Sequence, residues 1–267
     1  MSWKVLVTAR TFDSVGAEAL EMLAKAGCDV VLPSPLGPFP SEVLLPKLPG
    51  VDAVLASPDG FNANVLSSPE AADLKIISRW GVGYDSIDVP AATRNGVVVA
   101  YTPGMLNETV ADWTFTLLLG VARRLHLCHA SMARNEWQNH WGDDIFGRTL
   151  GLVGCGRIGR AVAKRASGFG MRVIAHDLHP GPSATEIQYL PFESVLQESD
   201  YLSLHAALTP QSRGLIGEAQ LRLMKPRAYL INTARGPLVD EAALRRALDE
   251  GWIAGAALDV FTKEPLP

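Results

Sequence analysis

The sequence has little of what marks several large protein classes. Only three cysteines occur in 267 residues, at positions 28, 128 and 155, and their odd number and scatter fit neither a disulfide framework nor a thiolate metal site. Charged residues make up 19%, 24 basic against 28 acidic, for a formal net charge of -4, so no general attraction to nucleic acid or an anionic membrane is expected. No apolar run approaches the roughly 18 residues of a membrane span. Near the start, the apolar Val5, Leu6 and Val7 are closed off by Lys4 and Arg10, too short a stretch for a secretory signal. No repeat of about 20 to 50 residues is visible. These absences predict a soluble cytoplasmic protein, its cysteines mostly buried free thiols, with no metal and no nucleic-acid or membrane partner.

What is present is apolar material, 48% of the chain. At about 150 residues per domain, the length predicts two packed cores. Short β-rich runs at 4–8, 29–32, 51–56, 74–78 and 97–100 alternate with helical patterns near 15–26 and 41–48. Such alternation implies a mostly parallel sheet covered on both faces, hence an α/β fold. Pro33, Pro35, Pro38 and Pro40 mark a loop. A boundary is expected near 101–104, before a helix over 107–125 with Val110, Trp113, Leu117 and Val121 at helical spacing. Trp137 and Trp141 follow among polar residues and fit either a partner subunit or the chain's own surface. From Gly147 a second βα series begins.

That series opens with a strand at 149–153 and, at once, Gly154-Cys-Gly-Arg-Ile-Gly159, then a helix with Ile158, Val162, Ala166 and Phe169 on one face. Gly154 permits a tight turn, Gly156 lets backbone approach a pyrophosphate, and Gly159 lets the helix lie close to the strand. The helix N-terminus offers free N–H groups and a positive dipole to phosphates. The next strand, 171–176, runs into Asp177, where a carboxylate can accept the adenosine ribose hydroxyls and repel the extra phosphate of NADP. NAD is therefore the expected cofactor. His176 and His179 read as surface histidines beside an adenine site, and Cys155 as a small filler, although a helix N-terminus can activate a thiol.

The strand at 201–204 would bring His205 and Thr209 to the cofactor edge, with His205 read as structural because no carboxylate partner is evident. A second apolar strand ends at Asn232-Thr-Ala-Arg-Gly236, and a guanidinium leaving a strand's C-terminal edge can clamp a carboxylate with two parallel hydrogen bonds. Asp240 is a helix cap, Gly251 its stop, and Arg245 and Arg246 a solvated face. Asp259 ends a further strand, and Glu264 follows.

The stretches Ser78-Arg-Trp-Gly-Val-Gly-Tyr-Asp85, Asn107-Glu-Thr-Val-Ala-Asp112, 151–159, 208–217, 231–236 and 257–265 together resemble the NAD-dependent D-2-hydroxyacid dehydrogenase family, especially its phosphoglycerate dehydrogenase-like branch. The resemblance covers nearly everything from about residue 74 onward. It implies two doubly wound parallel-sheet lobes, a flavodoxin-like substrate lobe at 1–100 and a Rossmann NAD-binding lobe at 101–267. It also implies that Arg235 binds the substrate carboxylate and polarises its carbonyl, and that Glu264 orients a catalytic histidine. Gly81, Val82 and Gly83 would offer amides to the substrate carboxylate, with Ser57 nearby. Gly154, Gly156, Arg157, Ile158, Gly159, Asp177, Thr209, Thr233 and Asp259 would touch NAD, Asp259 beside the nicotinamide amide.

The implied reaction is hydride transfer between nicotinamide and a D-2-hydroxy or 2-oxo acid. 3-Phosphoglycerate is one expected substrate and hydroxypyruvate or glyoxylate the alternative, since Pro58, Asp59 and Gly60, rather than a basic residue, follow Ser57. Arg79 would assist an anionic substrate. In the family the acid/base histidine lies beyond the Glu-Pro pair; here the sequence stops at Pro267 and none of the six histidines sits in a matching motif. The return segment to the first lobe is likewise missing, so the sequence reads as a fragment that binds NADH and turns over slowly. An NAD(H)-sensing binding protein is the reading from another class. Relatives pair through the long helix and its neighbouring arm, so a homodimer is expected.

Overall fold

The computed structural model describes residues 2–182, 186–264 and 266. The chain divides into two compact units, Met1–Leu106 and Asn107–Pro267. Residues 101–106, which the sequence assigns to the second lobe, group with the first unit, where the Thr102 amide donates to the Gly81 carbonyl at 3.1 Å. Pro265, part of the last sequence motif, lies outside the described residues.

In the first unit, β1 (Lys4–Val7), β2 (Asp29–Val31), β3 (Ala53–Ala56), β4 (Ile76–Arg79) and β5 (Val98–Ala100) form one sheet in the order β2-β1-β3-β4-β5. Every pairing is parallel, which is the flavodoxin-like arrangement. Period-two alternation explains why the strands read as unbroken apolar runs. Leu6, Val54 and Ala56 pack into a core with Leu44, Phe61 and Ile77, while Val5, Val7 and Ala53 point to the other face with Phe12. The helical pattern near 15–26 resolves into Phe12–Val15 and Ala17–Lys25, separated at Gly16, where a Cβ would lie 2.4 Å from the Phe12 carbonyl oxygen.

In the second unit, β6 (Thr149–Val153), β7 (Arg172–His176), β8 (Gln188–Tyr189), β9 (Tyr201–Leu204), β10 (Tyr229–Asn232) and β11 (Gly255–Leu258) are ordered β11-β10-β9-β6-β7-β8. All pair in parallel. The order reverses direction between β6 and β9, so the carboxyl ends of those strands mark the switch point where doubly wound sheets bind ligands. The Asn107–Ala122 helix buries Ala111, Phe115, Leu118 and Ala122, with Phe115 stacked on Phe169 at 5.2 Å. That differs from the apolar stripe expected from the sequence. Val110, Leu117 and Val121 are half-buried and Trp113 is 45% exposed, because small residues let this helix lie close to the Arg157–Gly168 helix. No helix among the described residues is long and apolar enough to cross a membrane.

Candidate active site

The three glycines of the turn after β6 are required for different reasons. Gly154 has φ +88, and a Cβ there would sit 2.6 Å from the Ala206 amide nitrogen. A Cβ on Gly159 would lie 2.5 Å from the Gly154 carbonyl oxygen. Gly156 is exposed, has φ -74, and a Cβ on it would meet nothing within 4 Å. The chain's own packing therefore demands Gly154 and Gly159 but not Gly156, which guards open space at the helix start. Gly156 caps the Arg157–Gly168 helix without any side-chain cap bond, so first-turn N–H groups, including those of Arg157 and Ile158, are available to an anion along the helix dipole. This is the fit a dinucleotide pyrophosphate requires.

Asp177, directly after β7, is tied to that turn. One carboxylate oxygen accepts the Cys155 amide at 2.6 Å and the other the His179 amide at 2.8 Å, and each oxygen keeps lone-pair capacity for ribose hydroxyls. Cys155 is buried, and burial pushes its thiol up against the pull of the Tyr189 hydroxyl and Arg160; it is a filler, and helix-end activation is not realised. His176 packs on the Phe192 ring at 5.4 Å, and His179 is exposed.

After β9, the His205 amide donates to the Val153 carbonyl at 2.7 Å and its Nε2 meets the Ser203 hydroxyl at 2.9 Å. Burial pushes the imidazole down to about 4, so the ring is neutral at pH 7 and serves the architecture. Thr209 closes its own turn. Its amide donates to Ser212 Oγ at 2.8 Å and its hydroxyl accepts the Ser212 amide at 3.2 Å; Ser212 lies in the 208–217 stretch, but sequence reading assigned it no role.

The ends of β10 and β11 gather Thr233, Arg235, Asp259 and Glu264. Buried Asn232 accepts the Ala234 amide at 3.0 Å through Oδ1 and donates from Nδ2 to the Arg235 carbonyl at 2.9 Å. This side chain, which sequence reading passed over, fixes the turn that carries Arg235. Gly236 has no space for a side chain, since a Cβ would lie 2.0 Å from the Phe261 carbonyl carbon; the loop bearing Glu264 thus packs on the residue after Arg235. Glu264 accepts the Phe261 amide at 2.9 Å, and no histidine among the described residues hydrogen-bonds to it. The Thr114 and Thr233 hydroxyls meet at 3.0 Å, and Trp113 Nε1 donates to Asp259 Oδ1 at 2.8 Å.

In the first unit, the Gly81–Gly83 turn is held by Arg79. Its Nε donates to the Gly83 carbonyl at 2.8 Å, and Nη1 donates to the carbonyls of Ala56 at 3.0 Å and Trp80 at 2.6 Å. These bonds give Arg79 a bracing role in the turn, in addition to the expected one toward a substrate anion. Gly81, at φ +147, donates its own amide to the Arg79 carbonyl at 2.8 Å, contrary to the expectation that it faces substrate; the fold of the turn uses it. The Val82 and Gly83 amides have no acceptor among the described residues. Ser57 is buried, its hydroxyl accepting the Arg10 amide at 3.0 Å and its amide donating to Thr8 Oγ1 at 3.0 Å. Thr8 in turn donates to Asp59, which also accepts the Phe39 amide at 2.7 Å. Burial pushes the Asp59 carboxyl up, opposed by Thr8, Phe39 and the charge of Arg79. Thr8 and Asp59 carried no motif, and only the tertiary structure brings them to Ser57.

A sequence model described as "D-isomer specific 2-hydroxyacid dehydrogenase, NAD binding domain" matches residues 115–267. A glyoxylate reductase of Korarchaeum cryptofilum (strain OPF8) is 45% identical over 240 residues, covering 86% of this chain and 72% of that protein. A glyoxylate reductase of Thermococcus litoralis is 47% identical over 239 residues, covering 85% and 72%. Among solved structures, a glyoxylate reductase from Paecilomyes thermophila superimposes with a TM-score of 0.87 at 34% identity, covering 99% of this chain and 83% of that one.

Proposed function

This chain belongs to the D-isomer-specific 2-hydroxyacid dehydrogenase family and uses NAD, and on that premise we propose that it reduces a small 2-oxo acid, glyoxylate or hydroxypyruvate, to the D-2-hydroxy acid or its achiral counterpart. The observation that carries the substrate choice is the Arg79 brace: the cation within the substrate turn is engaged by three backbone carbonyls, which favours a small carboxylate over the phosphate of 3-phosphoglycerate. The names of the similar glyoxylate reductases support the same choice.

In this reading Gly154, Gly156, Arg157, Ile158 and Gly159 hold the pyrophosphate, Asp177 the adenosine ribose, and Thr209, Thr233 and Asp259 the nicotinamide half. The bound dinucleotide supplies or accepts the hydride at the substrate's C2. Arg235 pairs with the substrate carboxylate and stabilises negative charge developing on the carbonyl oxygen. In the first unit, the Val82 and Gly83 amides, which have no acceptor among the described residues, are the donors proposed for a substrate oxygen, and Ser57 is the neighbouring substrate residue. Glu264 orients the proton donor, a role we assign to none of the described histidines. We further propose a cytoplasmic homodimer. Trp137, Trp141 and Phe146 are 89%, 83% and 79% exposed, an apolar cost that a second copy would remove.

The test mixes the protein with NADH and, in turn, glyoxylate, hydroxypyruvate and 3-phosphohydroxypyruvate, following absorbance. Preference for either of the first two is expected; preference for the phosphorylated acid overturns the substrate assignment. Calorimetry with NADH and NADPH tests Asp177, with NADH expected to bind more tightly. Sedimentation as a monomer at micromolar concentration would remove the dimer.

A further inference from the structure

Trp113 stands apart from the rest of its helix. The Asn107–Ala122 helix turns Ala111, Phe115, Leu118 and Ala122 into the core, yet leaves a tryptophan 45% exposed. A large aromatic on the outer side of a buried helix needs a reason, and the structure supplies one in the hydrogen bond from its indole N–H to Asp259 Oδ1 at 2.8 Å. One residue along, Thr114 meets Thr233 at 3.0 Å. The helix thus touches residues that follow both β10 and β11.

The sheet order makes that placement informative. Asp177 follows β7, on one side of the switch between β6 and β9; β9, β10 and β11 lie on the other side. A dinucleotide laid across the switch, with its adenosine ribose at Asp177, puts its nicotinamide half on the side where Thr233 and Asp259 stand. A carboxamide has two N–H donors, and a carboxylate is the acceptor that pairs with them. Asp259 is exposed, so without a partner its side chain would be free to rotate. The indole has a single hydrogen to give. It fixes one carboxylate oxygen and leaves the other without a donor among the described residues.

We propose that Trp113 is a positioning residue that holds Asp259 in the orientation in which its second oxygen receives the nicotinamide carboxamide. This rests on the assignment of Asp259 to the nicotinamide half. A lysine or arginine in the same place would offer several donors and compete with the carboxamide for both oxygens; the indole does not.

The experiment is calorimetric titration of the wild-type chain, Trp113→Phe and Asp259→Asn with NADH and with ADP-ribose, which lacks the nicotinamide. Trp113→Phe retains the aromatic bulk and removes only the N–H. It is expected to weaken NADH about fivefold, the value of one hydrogen bond, and to leave ADP-ribose unchanged. Asp259→Asn should weaken NADH at least as much, and the double variant should add little beyond the larger single effect. If Trp113→Phe weakens both ligands alike, the tryptophan is only packing and the proposal is overturned. If Asp259→Asn weakens NADH selectively while Trp113→Phe does not, the positioning role fails and the Asp259 assignment survives. If Asp259→Asn leaves NADH unchanged, the assignment fails and takes the proposal with it.

Discussion

Asn232 grips the turn of Arg235 from both sides, its Oδ1 accepting the Ala234 amide at 3.0 Å and its Nδ2 donating to the Arg235 carbonyl at 2.9 Å. An arginine that must meet a carboxylate with two parallel hydrogen bonds depends on such a fixed backbone. Asn232→Ala is expected to raise the KM for glyoxylate about tenfold and to weaken NADH less, because the turn it fixes carries Arg235 and also Thr233. Steady-state kinetics alongside NADH calorimetry reads this, and equal losses in both would count against it.

The glycine turn predicts opposite consequences for neighbouring substitutions. Gly156→Val enters open space, so the thermal midpoint should hold while NADH affinity falls about a hundredfold from the blocked approach to the pyrophosphate. Gly159→Ala drives a methyl to 2.5 Å from the Gly154 carbonyl oxygen and should destabilise the fold by roughly 2 kcal/mol. Thermal unfolding and NADH titration of the two variants separate ligand space from packing; a destabilised Gly156→Val would contradict the assignment.

Arg79 braces the substrate turn through a fork reaching three carbonyls. Lysine presents a point charge without that fork. Arg79→Lys should therefore fail to rescue the raised glyoxylate KM of Arg79→Met, and both should leave NADH affinity intact. Full rescue by lysine would mean that charge alone acts there.

Asp59 gives a pH signature of definite sign. Burial raises its carboxyl in the folded state, so its stabilising contribution is complete below the ordinary aspartate value of about 3.9 and is lost as pH rises through the raised folded value. Asparagine can still accept the Phe39 amide, and Thr8 can turn its hydroxyl to the Leu55 carbonyl at 3.4 Å. Relative to Asp59→Asn, the wild type should lose about 1.4 kcal/mol per pH unit across that window. Unfolding followed from pH 4 to 7 checks it; parallel curves for the two proteins would refute it.

Much of this was legible in the chain because the signals are local. Strand β6 and the Gly154–Gly159 turn are adjacent in sequence, and a strand, a turn and a helix start need only neighbouring residues to declare themselves. Asp240 as a cap was equally readable, since its carboxylate takes the Ala242 and Ala243 amides at 3.0 Å each. The short strand β8 escaped notice because two residues carry no periodicity. The stripe on the Asn107–Ala122 helix was misread for a related reason: two apolar arcs share that helix, and which one faces inward depends on the Arg157–Gly168 helix packed against it.

By itself the amino-acid sequence determined the alternation of strands and helices, the glycine turn after β6, the aspartate that follows β7 and the arginine at the strand edge, since each is a pattern of neighbouring residues with one stereochemical solution. Only the tertiary structure decided that Arg79 is a brace, that Gly81 is occupied by its own turn, that Asp59 and Thr8 support Ser57, and that Trp113 holds Asp259. The Arg79–Ala56, Thr8–Asp59, Thr8–Ser57 and Trp113–Asp259 pairings join residues from different elements, in the last case from helix and strand end across most of the second unit's sequence, and hydrogen-bond partners so distant along the chain are chosen by packing.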